Sequence, residues 1–528
     1  MHDHVPASGA VTPGPAGPQH LSPWMLDATA FVAGFGAMGA EMAAGRLLAP
    51  YYGTSTFVWC LLIGSVLSSL ALGTYLGGRW SQRPGALALG YAALVGAGLQ
   101  LAILPHLARP ILRRAAAGFF GGHVLALALA GAAFALLLAL PLVVLGALGP
   151  VLVQRGVDQR GAPGAVAGRF GAVGTFGSLL GTFVPGLILV PTVGTDRCFA
   201  LCGASLVLAG VLGLRARNRI VGIGAAAVLL SGAAWGNARR EDGATIYEAE
   251  SRWGYLRVTE QSGLRRLYLN DGYAVQTVAR LDGAPYLRGV WGYYALAPSF
   301  RRGGELQEVL VLGLGGGISA RRYAEDHPRA QITAVELDPA VADVARRYFD
   351  LPASVEVAIG DGRSFVASSD RSYDLIVVDA FQFPYIPFQL ATREFFELCR
   401  RHLRPGGAFV INVGRNGERR ELVDAVAATL ASTYRHVSGV NVPGSSNTIL
   451  VGTEHPLSEA VGLAGLGAPA AATGELEQLP PVRSWPIEAG APVLTDDRAP
   501  VELLTDRIIL DVLWRSLEGA RAWTLPPS

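Results

Sequence analysis

The sequence predicts a multi-span α-helical membrane domain, followed by an α/β Rossmann-like domain with a small N-terminal antiparallel β subdomain. Three observations predict this architecture. Residues 23–238 consist of long apolar runs with few acids, residues 239–300 contain short alternating segments, and residues 301–455 alternate apolar strands with helical stretches. The chain is 51% hydrophobic and only 16% charged, which agrees with a large membrane domain.

The N-terminal half contains a polar tail and then the membrane spans. Residues 1–22 are rich in Pro, Gly and Ala and lack a signal-peptide pattern, so we predict a disordered tail. About seven helices are expected over residues 23–238, with roughly six to eight possible, because most apolar runs reach the ~20 residues that a bilayer requires. The candidate spans are 24–48, 57–78, 85–105, 123–150, 170–193, 196–214 and 219–236.

Two charged residues lie in the first span. Glu41 and Arg46 occur in a helix otherwise built of small and apolar residues, where ionisable groups are costly. Either they form a functional pair, or Arg46 extends to the interface while Glu41 bonds a neighbouring helix. The glycines of the fifth span favour close helix packing; these are Gly171, Gly174, Gly177 and Gly181.

A glycine-rich turn follows the first apolar strand of the C-terminal part. Gly313, Gly315 and Gly317 let the backbone approach a ligand closely, and Ile318–Asp326 is predicted to continue as a helix. Glu336 stands nineteen residues after Gly317, at the end of the next apolar strand. This distance is typical of a carboxylate that holds a ribose diol.

Two further predicted strands are followed by acids. Val355–Ile359 precedes Asp361 and Gly362, and Tyr373–Val378 precedes Asp379. Open α/β sheets bind ligands at the carboxyl ends of their strands, so these carboxylates are expected to share one site with Glu336. The structural alternatives are a tight turn with solvated acids, and an Asp379 that only caps a turn.

These motifs resemble a known family when two upstream segments, YEAESRWGYLRV and LYLNDGYAVQT, are added. The family is that of the spermidine synthase-like aminopropyltransferases, within the larger S-adenosylmethionine-dependent methyltransferase fold. The resemblance covers about residues 244–455. With GRLLAPYYGTSTFVW near the start and LTDDRAPVE near the end, the chain is similar to the membrane-fused spermidine synthase-like proteins.

The resemblance implies a mostly parallel seven-stranded sheet and an adenosyl cosubstrate, either decarboxylated S-adenosylmethionine or S-adenosylmethionine. It also implies a small-molecule amine as acceptor and a possible homodimer, and we expect no metal. By the resemblance, Gly313, Gly315 and Gly317 line the methionine-derived and sugar portions of the cosubstrate. The other implied site residues are Glu336 for the ribose hydroxyls, Asp361 with Gly362 for the adenine amino group, Gln276 for the nucleoside, and Asp379 as the catalytic acid/base.

Asp379 also has a physical role that does not depend on the resemblance. Alkyl transfer from a sulfonium is an in-line displacement, which needs a neutral amine held near the electrophilic carbon. A carboxylate at that place can accept the proton of the amine and orient it.

Three positions depart from the pattern of the family. Gly316 stands where the family has an acid that binds the aminopropyl amine, Gln382 where a second acid holds the polyamine, and Pro443–Ser446 where a gating tyrosine is expected. Each change removes negative charge or an aromatic wall from a pocket for a polycation. Candidates for the missing charge are Glu502, or Asp496 and Asp497.

Three hypotheses about function therefore stay open. The first is a membrane-anchored aminopropyltransferase that acts on putrescine or a related amine. The second is a methyltransferase that acts on another acceptor, and the third is a non-catalytic nucleoside- or polyamine-sensing domain fused to a transporter-like membrane domain. Nucleic acid is not expected as a partner, because the net charge is only +2 and no basic–aromatic stripe is present.

Orientation in the membrane depends on arginine, because the chain contains no lysine. Arginine is denser after the second, fourth and sixth candidate spans, which places the N-terminus inside the cell. Seven spans would then put the C-terminal domain outside, where an adenosyl cosubstrate is not supplied. We therefore interpret the short segment 219–236 as interfacial or re-entrant. The resulting hypothesis is a multi-pass protein of the cell membrane with a cytoplasmic C-terminal domain.

The end of the chain is predicted to dock on the α/β domain. Residues 456–528 are interpreted as a linker followed by a docking segment. Within them, Arg507–Leu517 has an apolar stripe typical of a helix that packs on a surface.

Overall fold

The computed structural model describes residues 22–52, 56–119, 124–214, 244–269, 275–380, 386–415, 420–457, 479–505 and 507. In these ranges a helical N-terminal part is followed by a four-stranded antiparallel sheet and then by an α/β part, which confirms the predicted fold class. Four predictions lie outside the described residues. They concern the tail, the segment 219–236, Gln382 and the helix Arg507–Leu517.

The helical part contains long helices at the first six predicted spans. Their bounds are α1 Pro23–Tyr52, α2 Thr56–Trp80, α3 Ala86–Phe119, α4 Val124–Arg160, α5 Pro163–Val184, α6 Val190–Val193 and α7 Thr195–Gly213, with a π-helical turn Pro185–Leu189 between α5 and α6. Five helical stretches of the described chain are long and apolar enough to cross a membrane. They are Thr56–Trp80, Ala86–Leu112, Ala128–Arg160, Pro163–Val193 and Thr195–Gly213. The first predicted span, at α1, is not among these five.

The helices pack in pairs through glycine. A Cβ atom added to Gly177 of α5 would lie 2.1 Å from the carbonyl oxygen of Phe31 in α1. The pairs α2–α4 and α3–α7 are equally close, since a Cβ at Gly77 would lie 2.1 Å from Ala147 O and one at Gly203 would lie 2.4 Å from Gly98 O. Backbones in such contact are typical of helices that associate in lipid.

The outer faces of these helices carry large apolar side chains. In α2, Leu61 and Leu67 are 60% and 57% exposed, and in α4 Leu136 is 74% exposed. A helix that is apolar on its outward as well as its inward face is expected in a hydrocarbon environment rather than in water.

The small sheet consists of four consecutive antiparallel strands, as predicted. They are β1 Thr245–Glu250, β2 Tyr255–Gln261, β3 Leu264–Leu269 and β4 Val275–Arg280, in the order β1-β2-β3-β4. Leu256, Val258 and Leu267 point to one face of this sheet and form a buried cluster with Val344 and Phe349 of the α/β part. The sheet therefore packs against the α/β part and covers its carboxyl edge from one side.

The α/β part contains a single eight-stranded sheet, in the order β12-β10-β11-β9-β8-β5-β6-β7. Its strands are β5 Glu308–Leu312, β6 Gln331–Glu336, β7 Glu356–Ile359, β8 Tyr373–Val378, β9 Leu403–Gly414, β10 His436–Asn441, β11 Asn447–Thr453 and β12 Arg483–Ser484. Its helices are α8 Val290–Leu296, α9 Ile318–Asp326, α10 Pro339–Tyr348, α11 Gly362–Ser368, α12 Arg393–Arg401 and α13 Glu421–Ala431, with 3₁₀ turns at Ala297–Phe300 and Phe388–Leu390.

Strands β5 to β9 are parallel and β10 to β12 are antiparallel, so the sheet is mostly parallel, as expected. One strand was not predicted. The two-residue strand β12 pairs with β10 at the edge, within a segment interpreted from the sequence as part of a linker. A strand this short shows no apolar alternation, so the sequence carries no signal for it.

The order in which successive strands join the sheet changes direction at β5. Strands β6 and β7 lie on one side of β5, and β8 lies on the other. Leu312, the last residue of β5, pairs with Val335 of β6 on one side and with Val378 of β8 on the other. The residues that follow these strands consequently meet at one edge of the sheet. This edge is the topological switch point, where open α/β sheets form a crevice for ligands.

The helical part contacts the loop after β1. Arg46 of α1 donates from Nη2 to the carbonyl oxygen of Ser251 over 2.7 Å. The carboxylate of Glu250 accepts from the backbone N–H of Thr195 over 2.8 Å and lies 3.5 Å from Arg109 Nη2, which also pairs with Asp196. Arg46 therefore extends out of the helices to the α/β side, while Glu41 is buried within them.

Candidate active site

A cavity of about 350 Å³ lies at the carboxyl edge of the sheet, which is a size suited to a small molecule. Sequence-predicted site residues line it from five different segments. They are Gln276, Gly313, Gly315, Glu336, Asp361, Gly362 and Asp379. Gly317 is not among the lining residues; it stands at the N-cap position of α9, with a φ of 76°.

The carboxylate of Glu336 is tied to the glycine turn. Its Oε2 atom accepts from the backbone N–H groups of Leu314 over 3.0 Å and Gly315 over 3.4 Å, and its Oε1 accepts from that of Asp338 over 3.0 Å. Burial raises the pKa of Glu336, and these three N–H groups act against the shift. A carboxylate has about four acceptor positions, so Oε1 keeps a lone pair for a hydroxyl donor in the cavity.

The glycine turn is close-packed on both sides. Gly313 has a φ of 90°, and a Cβ there would lie 2.5 Å from the carbonyl oxygen of Asp379. Gly316 donates its N–H to Thr277 Oγ1 over 2.8 Å, and a Cβ at this position would lie 2.5 Å from Thr277 Cγ2. A side chain at Gly316 would therefore collide with Thr277 as it is packed here.

Asp361 begins a helix at the cavity wall. Its Oδ1 atom accepts from the backbone N–H of Ser364 over 2.8 Å, so that the side chain caps α11. One hydrogen bond of this kind uses only part of the acceptor capacity of a carboxylate. Asp361 can therefore cap the helix and still accept from an amino group in the cavity.

Asp379 follows β8 directly and is half-buried at the wall of the cavity. Burial raises the pKa of its carboxyl group to about 6, while Tyr294 and Asn412 act against this shift. Asn412 donates from Nδ2 to Asp379 Oδ1 over 3.2 Å. The Tyr294 hydroxyl is close by but makes no hydrogen bond of standard geometry with the described residues. A carboxylate with a pKa near 6 is suited to accept a proton near neutral pH.

Negative charge dominates the cavity. Its described lining includes five carboxylates and no basic side chain. They belong to Glu336, Asp338, Asp361, Asp379 and Glu502. Asp338 is engaged with protein groups, since its Oδ1 caps α10 through Ala340 N at 2.9 Å and its Oδ2 accepts from Ser251 Oγ. Such a lining attracts cations and repels anions.

The structure separates the acids that were candidates for the missing charge. Asp496 pairs with Arg363 at 2.6 Å and accepts from Thr392 Oγ1 over 2.8 Å. Asp497 is exposed and is not among the lining residues, whereas Glu502 lines the cavity. The Pro443–Ser446 turn, where a gating tyrosine was expected, also does not line it.

Several residues at the site were not found from the sequence. Thr277, Tyr294 and Asn412 all contact residues of the glycine turn or Asp379. Asn412 had a usable signal, because it is a lone amide in the otherwise apolar strand AFVINV. Tyr294 and Thr277 had none, since a tyrosine in a short helix and a threonine in a strand are ordinary there.

In the described part of the chain, no group of three or more His, Cys, Asp or Glu side chains is placed to hold a metal ion. The arrangement offers a wall of carboxylates, a half-buried proton acceptor and a glycine turn that a ligand can approach.

Comparison with known proteins identifies the family. The spermine/spermidine synthase domain matches residues 298–451. A protein of Vibrio vulnificus (strain CMCP6) named "Polyamine aminopropyltransferase" is 31% identical over 219 residues, which are 39% of this chain and 70% of that protein. A protein of Bifidobacterium longum (strain NCC 2705) named "Probable polyamine aminopropyl transferase" is 34% identical over 292 residues, covering 50% of this chain and 64% of the relative.

Among solved structures, a probable spermidine synthase from Corynebacterium glutamicum ATCC 13032 is 22% identical, with a TM-score of 0.40, covering 47% of this chain and 96% of that one. The fold and the site define a transferase with a methyltransferase-like α/β domain. More particularly, the chain belongs to the spermidine synthase, or polyamine aminopropyltransferase, family.

Proposed function

We propose that this protein is a membrane-anchored aminopropyltransferase, which moves an aminopropyl group from decarboxylated S-adenosylmethionine to putrescine or a related amine. The observation that carries the proposal is the half-buried carboxyl group of Asp379, with a pKa of about 6, in a cavity whose described lining has carboxylates and no basic side chain. Both substrates are cations, and this lining attracts them.

The reaction is a single displacement. The lone pair of a neutral amine attacks the propyl carbon bound to the sulfonium, and the carbon–sulfur bond breaks. Sulfur takes the electron pair and leaves as the neutral thioether methylthioadenosine. The attacking nitrogen loses one proton, which Asp379 accepts, so atoms and charges balance. Asp379 needs to be ionised before the step, and its pKa of about 6 allows this at neutral pH.

The adenosyl half of the substrate fits the carboxyl edge of the sheet. In this proposal Glu336 accepts from the ribose hydroxyls through the free lone pair of Oε1, and Asp361 accepts from the adenine amino group. Gly313 and Gly315 line the same cavity as Asp379, and Gln276 lines it from β4 of the small sheet. Gly362 lies beside Asp361 at the start of α11.

The charge of the lining supports the decarboxylated cosubstrate over S-adenosylmethionine itself. S-adenosylmethionine carries an α-carboxylate, and a carboxylate entering an acidic cavity without a cationic partner is repelled. One observation favours the methyltransferase alternative, namely Gly316. Because glycine stands there, the aminopropyl amine lacks the acid that the family places at this position.

Anchoring in a membrane is supported by the five long apolar helices and their exposed apolar faces. We place the α/β part in the cytoplasm, where the adenosyl cosubstrate is made. The expected homodimer stays a prediction.

The test uses the full-length protein in lipid nanodiscs, incubated with putrescine and either adenosyl compound. Formation of spermidine and methylthioadenosine is expected only with the decarboxylated compound, at a rate about 10²-fold lower or more for Asp379→Asn. Methylated product with S-adenosylmethionine would establish the methyltransferase alternative instead. Binding of the nucleoside without turnover in either assay would establish a sensor.

A further inference from the structure

Glu502 is the acid of the cavity that the reaction described above does not use. Of the five lining carboxylates, Glu336 is held by the glycine turn, Asp338 and Asp361 cap helices, and Asp379 accepts the proton. Glu502 comes from a different part of the chain, 99 residues after the start of β9, the last of the parallel strands.

The segment that carries Glu502 is firmly docked on the α/β part. Leu494 donates its N–H to Thr429 Oγ1 over 2.9 Å and accepts from Arg393 N over 2.8 Å. Asp496 makes two hydrogen bonds with Arg363, from Nη1 over 2.7 Å and from Nη2 over 2.6 Å. The position of Glu502 is therefore defined by the chain before it.

The same segment packs beside the loop that follows Asp379. Val501 is fully buried in a cluster that includes Ile386 and Leu390, and both of these residues also line the cavity. Glu502, the next residue, lines the same cavity as Ile386, Leu390 and Asp379. Its Oε2 atom accepts from the backbone N–H of Thr56, the first residue of α2, over 3.0 Å.

We infer that Glu502 binds the distal ammonium of a diamine acceptor, and that α2 holds it in place. This inference rests on the proposed function. A diamine places one neutral nitrogen at the reacting carbon and keeps a positive charge at its other end, which needs a carboxylate partner. The hydrogen bond from Thr56 uses one acceptor position of Glu502, so others stay available to an ammonium. The helical part consequently takes part in acceptor recognition through α2.

The competing explanation is that Glu502 only caps α2. Glu502→Gln separates the two, because the amide oxygen still accepts from Thr56 N while the negative charge is lost. The matched control is Asp497→Asn, which removes the same charge from an exposed acid of the same segment, outside the cavity lining. Thermal unfolding of both variants checks that the fold is kept.

The measurement is calorimetric binding of putrescine and of n-butylamine to full-length protein in nanodiscs saturated with methylthioadenosine. Wild type and Asp497→Asn are expected to prefer putrescine, the amine with the second charge. Glu502→Gln is expected to lose about tenfold in putrescine affinity and none in butylamine affinity, since a charged hydrogen bond is lost only with the diamine. Equal putrescine affinity in Glu502→Gln and wild type would overturn the inference.

Binding and turnover distinguish this inference from the proposed function. If putrescine binding depends on Glu502 but no aminopropyl transfer occurs, the site is a diamine site and the proposed reaction is wrong. If transfer occurs with an unchanged putrescine KM in Glu502→Gln, the reaction stands and the assignment of Glu502 falls.

Discussion

The carboxyl group of Asp379 has a pKa of about 6, raised by burial, so its ionised fraction changes near neutral pH. The base form is needed for turnover, and kcat/KM for the adenosyl cosubstrate should rise as pH increases through about 6 and then level off. Asn412→Leu removes a hydrogen bond that stabilises the carboxylate, so it should move this acid limb to higher pH. A pH–rate profile of the variant that superimposes on that of the wild type would contradict this role.

The same burial has a cost in stability. Because the pKa of Asp379 is raised in the folded state, its ionised form is disfavoured there at pH values above about 6, and the cost disappears below the unfolded pKa of about 3.9. Asp379→Asn should therefore raise the Tm at pH 8 relative to wild type, with the difference shrinking as pH falls from about 6 to about 4. Thermal unfolding at both pH values is the measurement, and a lower Tm at pH 8 would contradict it.

Glu336 combines ligand binding with support of the glycine turn. Replacing it with alanine would release the N–H groups of Leu314 and Gly315 as well as remove the ribose acceptor, so Glu336→Gln is the cleaner change. It should weaken binding of methylthioadenosine by about 10- to 100-fold, since hydrogen bonds to a charged group contribute roughly 1.5–3 kcal/mol. Calorimetry at fixed pH measures the effect. Unchanged affinity would mean that the ribose lies elsewhere.

The close packing of paired helices in the N-terminal part leads to a prediction about thermal stability. Gly177 faces the backbone of Phe31, so a leucine side chain at this position should separate α5 from α1. Gly177→Leu should therefore strongly lower the Tm of the protein in detergent. Gly171 lies on the same helix with open space around it, and Gly171→Leu is the matched control that should leave the Tm nearly unchanged. Equal effects of the two substitutions would show that the close contact does not stabilise the pair.

At the scale of the elements, the strands that were predicted from the sequence are those marked by a local pattern of residues. Tyr373–Val378 was predicted with the bounds that the structure has, because apolar runs bounded by polar residues mark buried parallel strands. The acids after these strands were found for the same reason. The contacts that cross the fold were not predictable: the docking of Glu502 against Thr56, and of Thr277 against Gly316, joins residues whose types are unremarkable at their own positions.

At the scale of the whole molecule, the directions of α1 and α7 show which end of each helix lies near the α/β part. Arg46, near the end of α1, touches Ser251, and Thr195, at the start of α7, touches Glu250. The start of α1 and the end of α7 then lie about 30 Å away, given 1.5 Å per residue. Residues 215–243, which connect α7 to β1, lie outside the described residues.

Because Arg46 near the end of α1 contacts Ser251, we expect the start of α1 and the α/β domain on opposite sides of the membrane. With the α/β domain in the cytoplasm, a cytoplasm-active reporter should function after Ser528, and an exterior-active reporter should function before Pro23. Activity of both reporters on one side would contradict this arrangement. Exterior activity after Ser528 would instead agree with the arginine bias and exclude a cytoplasmic supply of the cosubstrate.

The acidic lining of the cavity also determines which solutions suit the protein. Small ammonium ions present at millimolar concentration, such as protonated Tris or imidazolium from purification, are attracted to the same carboxylates as the acceptor. They should act as competitive inhibitors whose strength falls with added salt, because screening weakens exposed charges first. In zwitterionic sulfonate buffers, the apparent KM for the acceptor should be lower than in Tris. Titration with Tris at constant ionic strength would reveal the competition.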